Sequence, residues 1–202
     1  MNKFKIKVLA KISSAKNDKT KLILPIKDEK EKTIAHLRSL TSKSLDSKRE
    51  ISLLAKWRRE NNFAFPPSQN RITLKSTKKW LGGQLLKNET RILFFIESSH
   101  KVSKPIGHMG LYSFDFREES CEIDNVIRGE KKALKGVMSM ALKRLIAWTK
   151  KEMRPKKIYL RVLSTNKNAI NFYLKNSFKK AGLIPIEKTN KFFLKMVYEK
   201  KP

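Results

Sequence analysis

The sequence predicts an α/β fold of the α+β kind: a mixed, mainly antiparallel central sheet flanked by helices, with one strand–helix–strand crossover. Three observations carry this. Residues 91–96 (RILFFI), 105–116 (PIGHMGLYSFDF) and 121–127 (CEIDNVI) are β-rich runs in close succession, joined by short polar turns. Such strands pair antiparallel, whereas a strand that returns after a helix lies parallel. An amphipathic helix follows, with Val137, Ala141, Leu145 and Trp148 at i, i+4, i+8 and i+11 and with Met138, Leu142 and Ile146 broadening the stripe. Residues 157–163 (KIYLRVL), 178–184 and 192–198 then add three more strands.

In chain order, residues 4–8 (FKIKV) alternate apolar with polar and read as a half-buried strand. Residues 22–24 are its expected partner across a polar turn at 13–20. Pro25 and the charged run 27–32 break the pattern. Residues 34–40 read as a strand. Residues 44–62 read as a helix with Leu45, Ile51, Leu53, Leu54 and Trp57 as its apolar set, and 63–67 as a loop. Ser76 is the expected cap of a helix to Leu86 that buries Trp80 and Leu81 and is weakened by Gly82-Gly83. Residues 166–176 form the last expected helix. Residues 1–35 are taken as a basic extension or added hairpin, and 36–202 as the main domain.

Composition narrows the function. The 202 residues are 40% hydrophobic, so a core is expected. No apolar run reaches membrane-span length, and residues 1–14 contain no signal-peptide core. A cytoplasmic protein is the expectation. Cys121 is the single cysteine, which excludes an internal disulfide, and His36, His100 and His108 lack metal-motif spacing, so no metal is expected. The formal net charge is +29. It favours anionic partners, with weak nucleic-acid contact among them. Lysines dominate and are spread along the chain, so solvated surface charge explains much of it. A homodimer is compatible with these features.

Residues 125–148 (NVIRGEKKALKGVMSMALKRLIAW) carry the first functional signal. A helix normally prefers acidic residues in its first turn, where its dipole is positive. Here Lys131, Lys132 and Lys135 crowd that end beside Gly136. Positive charge on a positive dipole is unfavourable unless an anion sits between them, and free N–H groups at a Gly-flanked helix start suit a phosphate. A solvated lysine loop is the alternative.

The segment at 164–182 (STNKNAINFYLKNSFKKAG) resembles the C-terminal signature of GNAT-type acetyltransferases. The family pattern is Asn-x-x-Ala, an aliphatic residue, x-x-Tyr, then a Gly-Phe pair; here Asn166, Ala169, Ile170, Tyr173 and Ser177-Phe178 stand in those places. With the basic loop and its helix, the resemblance covers about residues 37–198. It is nearest in pattern to the ribosomal-protein and sugar-nucleotide subgroup. The phosphate loop departs from the family pattern: with Gly136 as its first Gly, Ala133 takes the basic position and Met138 the small one. The resemblance implies splayed strands at the cofactor site and acetyl-CoA as co-substrate. It places Lys131, Lys132, Lys135, Gly136, Val137 and Met138 at the phosphates. The edge at Val126 and Ile127 falls along the pantetheine, and Asn166 and Ala169 beside it. Tyr173 is the expected acid for the leaving thiolate and Glu122 the expected base, with Asp124 on the same strand face. A core tyrosine and paired strand acids are the plain alternatives.

For the acceptor, Trp57 and Arg58 precede a loop containing Phe65, and His108 lies on the strand beside Glu122. Rings beside arginines suit an anionic acceptor such as a nucleotide-linked amino sugar. Trp57 as core and solvent-facing arginines are the alternative. The expected function is therefore acetyl transfer to the primary amine of a small, anionic acceptor, an amino sugar first. A ribosomal-protein N-terminus is a second acceptor class, and a non-catalytic nucleic-acid binder on the same scaffold is a third possibility.

Overall fold

The computed structural model describes residues 2–64, 71–99 and 103–199. The described residues form one eight-stranded sheet in the order β1-β2-β3-β4-β5-β6-β8-β7. Its strands are β1 (Ile23–Lys27), β2 (Thr33–Ser39), β3 (Ile92–Ser98), β4 (Lys104–Asp115), β5 (Ser120–Arg128), β6 (Lys157–Leu163), β7 (Phe178–Pro185) and β8 (Phe192–Tyr198). Every neighbouring pair is antiparallel except β5–β6, which helix α4 (Val137–Glu152) connects as a parallel crossover. The expected fold class is the one observed.

β3 shows how the layers form. Ile92, Phe94 and Ile96 face one side and Leu93 and Phe95 the other, all of them buried. The first side packs under α1 (Lys3–Lys16) and α4, together with Ile170 and Tyr173 of α5 (Lys167–Lys175). The second packs under α2 (Lys48–Glu60) and the segment after α3 (Leu74–Trp80). That segment, Leu81–Leu86, is a π-helix. The two glycines soften the helix there rather than end it.

The N-terminus departs from expectation. Residues 4–8 are not a strand but the start of α1, and β1 pairs with β2 instead. Phe4, Val8, Ile12 and Ala15 are the buried set, a helical spacing, while Ile6, which looked inward on a period of two, is exposed. The short alternation FKIKV fits both periods, and the longer stripe decides. Asn2 caps the helix by accepting from the Phe4 and Lys5 N–H groups at 2.9 and 3.2 Å. At the other end Lys16 Nζ donates to the carbonyls of Leu85, Leu86 and Asn88. Burial lowers the Lys16 pKa to about 8. The lysine thereby closes the π-helix from outside. Phe4→Ala is expected to cost about 3 kcal/mol of unfolding free energy in a denaturant titration; an unchanged midpoint would show that α1 lies loosely on the sheet.

Candidate active site

The site begins where two strands part. β5 and β6 pair only from Ser120–Glu122 to Lys157–Tyr159. Both strands continue, β5 to Arg128 and β6 to Leu163, without pairing further. A bulge in β5 accompanies the divergence: its partners on β4 jump from Gly110↔Asp124 to His108↔Ile127, and Asn125 has φ 52°. The extra residue bends the strand. His108 holds it bent, its Nδ1–H donating to the Asn125 carbonyl at 2.7 Å. Between the strands lies a cavity of about 210 Å³ lined by Glu122, Asp124, Val126, Arg161, Asn166, Ala169 and Tyr173, among others.

Glu122 is buried at the last paired position, and Arg161 grips both its oxygens, Nε to Oε1 at 2.9 Å and Nη2 to Oε2 at 2.8 Å. Burial pushes the Glu122 carboxyl above the ordinary carboxylate range, and Arg161 pulls against that shift. Asp124 is bonded through Oδ2 to Arg91 Nη2 at 2.5 Å and to Asn125 Nδ2 at 2.6 Å. Tyr173 is buried, its ring in edge contact with Phe172 and Phe178. Burial raises its hydroxyl pKa, with Asp124 and Glu122 adding to the rise. The hydroxyl is therefore protonated at neutral pH. Asn166 caps α5, Oδ1 accepting from Ala169 N–H at 3.1 Å, and the residue lines the cavity.

Past the bulge the chain turns into the loop 129–136. Gly129 and Glu130 N–H groups both donate to the Ile106 carbonyl at 3.0 and 2.9 Å. A side chain at Gly129 would overlap the Trp57 indole, so only glycine lets the loop lie on this ring. Arg128 donates to the carbonyls of Glu130, Lys131 and Ala133 and so occupies the loop's acceptors. Gly136 takes the left-handed N-cap position of α4 at φ 84°. This helix has no side-chain cap and no acidic residue in its first turn. The Val137 N–H is used by the Leu134 carbonyl, so Met138 and Ser139 supply the outward donors that a helix start leaves over. Lys131, Lys132 and Lys135 are exposed around them.

A family model described as an acetyltransferase (GNAT) domain matches residues 36–179. The chain belongs to the GNAT acetyltransferase family. The fold comparisons agree. A ribosomal-protein α-N-acetyltransferase, RimL, in complex with coenzyme A has a TM-score of 0.70 at 14% identity, covering 87% of this chain and 97% of that one. FdhC, a nucleotide-linked sugar GNAT, has a TM-score of 0.64 at 16% identity, with 88% and 90% covered. A chimera of the spermidine N-acetyltransferase SpeG from Vibrio cholerae with hSSAT has a TM-score of 0.63 at 19% identity, with 82% and 95% covered. No curated protein sequence matches the chain significantly.

GNAT acetyltransferases use acetyl-CoA, and the residues expected to serve it stand as follows. Val126 lines the cavity, whereas the Ile127 side chain is buried in the core beneath α2 and brings only its main chain to the strand edge. Val137 is core and Met138 half-buried against it. On the acceptor side two expectations fail. Trp57 is fully buried, edge-on to Phe95, and supports the loop rather than facing a ligand. His108 is fully buried too, and burial lowers its pKa to about 4, so it is a neutral brace for the bulge and not an acceptor contact. Phe65 lies outside the described residues. Arg58 is half-buried and stacks on Trp80 at 4.4 Å. Arg161, Arg91, Trp80 and Arg128 were not singled out from the sequence. Their isolated positions form no motif; strand register brings Arg161 and Arg91 to their acids, and helix packing sets Trp80 against Arg91.

The pH dependence of turnover should report the Glu122–Arg161 pair. Activity that needs the carboxylate rises as pH rises through the Glu122 pKa. Arg161 opposes the burial shift, so Arg161→Gln should move the acidic limb of kcat/KM to higher pH. An unmoved limb would remove Glu122 from proton transfer.

Proposed function

We propose that the protein transfers the acetyl group of acetyl-CoA to the primary amine of a small anionic acceptor, an amino sugar on a nucleotide carrier being the leading candidate. The observation that carries the cofactor half is the loss of β5–β6 pairing immediately beside an uncapped helix start. The free β5 edge offers amide groups to the pantetheine as another strand would. The outward N–H groups of Met138 and Ser139, with Lys131, Lys132 and Lys135 around them, would take the pyrophosphate. The Asn166 amide lies along the same path.

The acceptor half follows from charge. Each acid that lines the cavity is already paired, Glu122 with Arg161 and Asp124 with Arg91. No spare carboxylate greets a polycation there among the described residues, and the net charge of +29 repels one. An anionic acceptor meets the opposite situation on both counts. The same charge logic admits the N-terminus of an acidic protein, which an acceptor panel separates from sugar nucleotides.

In the reaction the neutral amine attacks the thioester carbonyl. The proton lost by the amine passes to Glu122, directly or through water, and the departing thiolate takes the Tyr173 proton. A raised hydroxyl pKa keeps Tyr173 protonated but makes it a weaker donor. Its use depends on the thiolate also being desolvated in the cleft, which raises the thiolate's own proton affinity. Tyr173→Phe should lower kcat by roughly a hundred- to ten-thousand-fold, as loss of a general acid does, with little change in acetyl-CoA affinity. An unchanged kcat in an assay over amino-sugar nucleotides, free amino sugars and peptides would exclude this role.

A further inference from the structure

Among the described residues Arg58 is a half-buried cation without an anion. None of the ion pairs among the described residues includes it, and the segments outside them, 65–70, 100–102 and 200–202, contain no Asp or Glu. Its guanidinium lies 4.4 Å from the centroid of Trp80. Arg91 stands 5.8 Å from the same ring and 4.4 Å from that of Tyr112. Burial and the neighbouring Arg91 hold the Arg58 pKa below its ordinary value.

Two guanidinium groups thus share one ring, and Asp124 is the single acid bonded to either within this cluster. The local sum of two positive charges and one negative leaves one positive charge uncompensated. Arg91 Nε is also buried without an acceptor. Desolvating one cation beside another is unfavourable, and ring stacking returns only part of the cost. The arrangement becomes favourable when an oxyanion joins it, because a planar guanidinium fork matches such an anion.

The position relates this cluster to the reaction. Asp124 lines the same cavity as Tyr173, and so does Ala64, six residues beyond Arg58. Phe63, beside Ala64, is 72% exposed and offers a bare ring face at the same end. A carboxylate needs one guanidinium, as Asp124 shows. A phosphate has oxygens enough for Arg58 and the remaining edge of Arg91 together.

We infer that Arg58 and Arg91, stacked on Trp80, bind a phosphate-type group on the acetyl acceptor; only the word acceptor rests on the proposed acetyl transfer. Trp57 and Trp148 are buried, so Trp80 is the tryptophan placed to report binding by fluorescence. The test titrates inorganic pyrophosphate and uridine diphosphate into the full chain saturated with coenzyme A, which fills the loop at Gly136. Saturable binding of either probe is expected, weakened about 10- to 100-fold in Arg58→Gln as for loss of a charge-assisted contact. Tighter binding of uridine diphosphate would favour a nucleotide-borne phosphate, and equal binding a simple phosphate ester. No binding overturns the inference. Binding that Arg58→Gln leaves untouched also overturns it and belongs to the diffuse surface charge. Coenzyme A affinity, measured separately by calorimetry, tests the acetyltransferase assignment. If it is absent, the same titration without coenzyme A still decides the role of Arg58.

Discussion

The site depends on one interrupted ladder. β5 and β6 exchange hydrogen bonds as far as Glu122 and Tyr159 and then separate. A continuous parallel sheet would satisfy these backbone groups and leave no room for a ligand. The bulge at Asn125 and Val126 bends β5, and the buried His108 braces the bend through the Asn125 carbonyl. The released edge is a row of donors and acceptors without partners, in a cleft whose floor carries Glu122 and whose wall carries Tyr173. Trp57 extends the same support, since the loop leading to α4 rests on its indole at Gly129. A core histidine and a core tryptophan therefore shape the cleft from behind.

Charge organises the rest. The cleft's carboxylates, both on β5, are held by Arg161 on the adjacent β6 and by Arg91, which precedes β3 on the far side of β4. Burying a carboxylate alone would neutralise it by raising its pKa, and the arginine opposes that shift. The loop works the other way. Arg128 binds loop carbonyls, and no acid in the first turn of α4 competes for the amide N–H groups at its start. Two arginines thus hold side-chain carboxylates in the cleft, and a third holds backbone carbonyls of the loop.

Most of the fold was readable in the sequence because long, strongly patterned segments leave little choice. The stripe of α4 and the runs 91–96 and 192–198 match the observed helix and strands to within a residue or two at most ends. The N-terminal helix was missed because five alternating residues fit a strand as well as a helix turn. The Asn166–Tyr173 spacing and the basic loop were readable since each is contiguous in the chain. Trp57 and His108 were misassigned for a common reason: an aromatic or a histidine near a motif looks functional until its depth is known. Arg161 and Arg91 lie 39 and 33 residues from the acids they hold, and only strand register reveals such pairs.

The most direct measurement is calorimetric titration of the full chain with acetyl-CoA at physiological salt, with adenosine diphosphate as the control ligand. Saturable one-to-one binding of acetyl-CoA, well above that of the control, is the expected result, because the proposed β5-edge and α4 N-terminal contacts would act on different parts of the molecule. Equal, weak and salt-sensitive heats for both ligands would contradict the cleft as a cofactor site and leave only the positive surface at work.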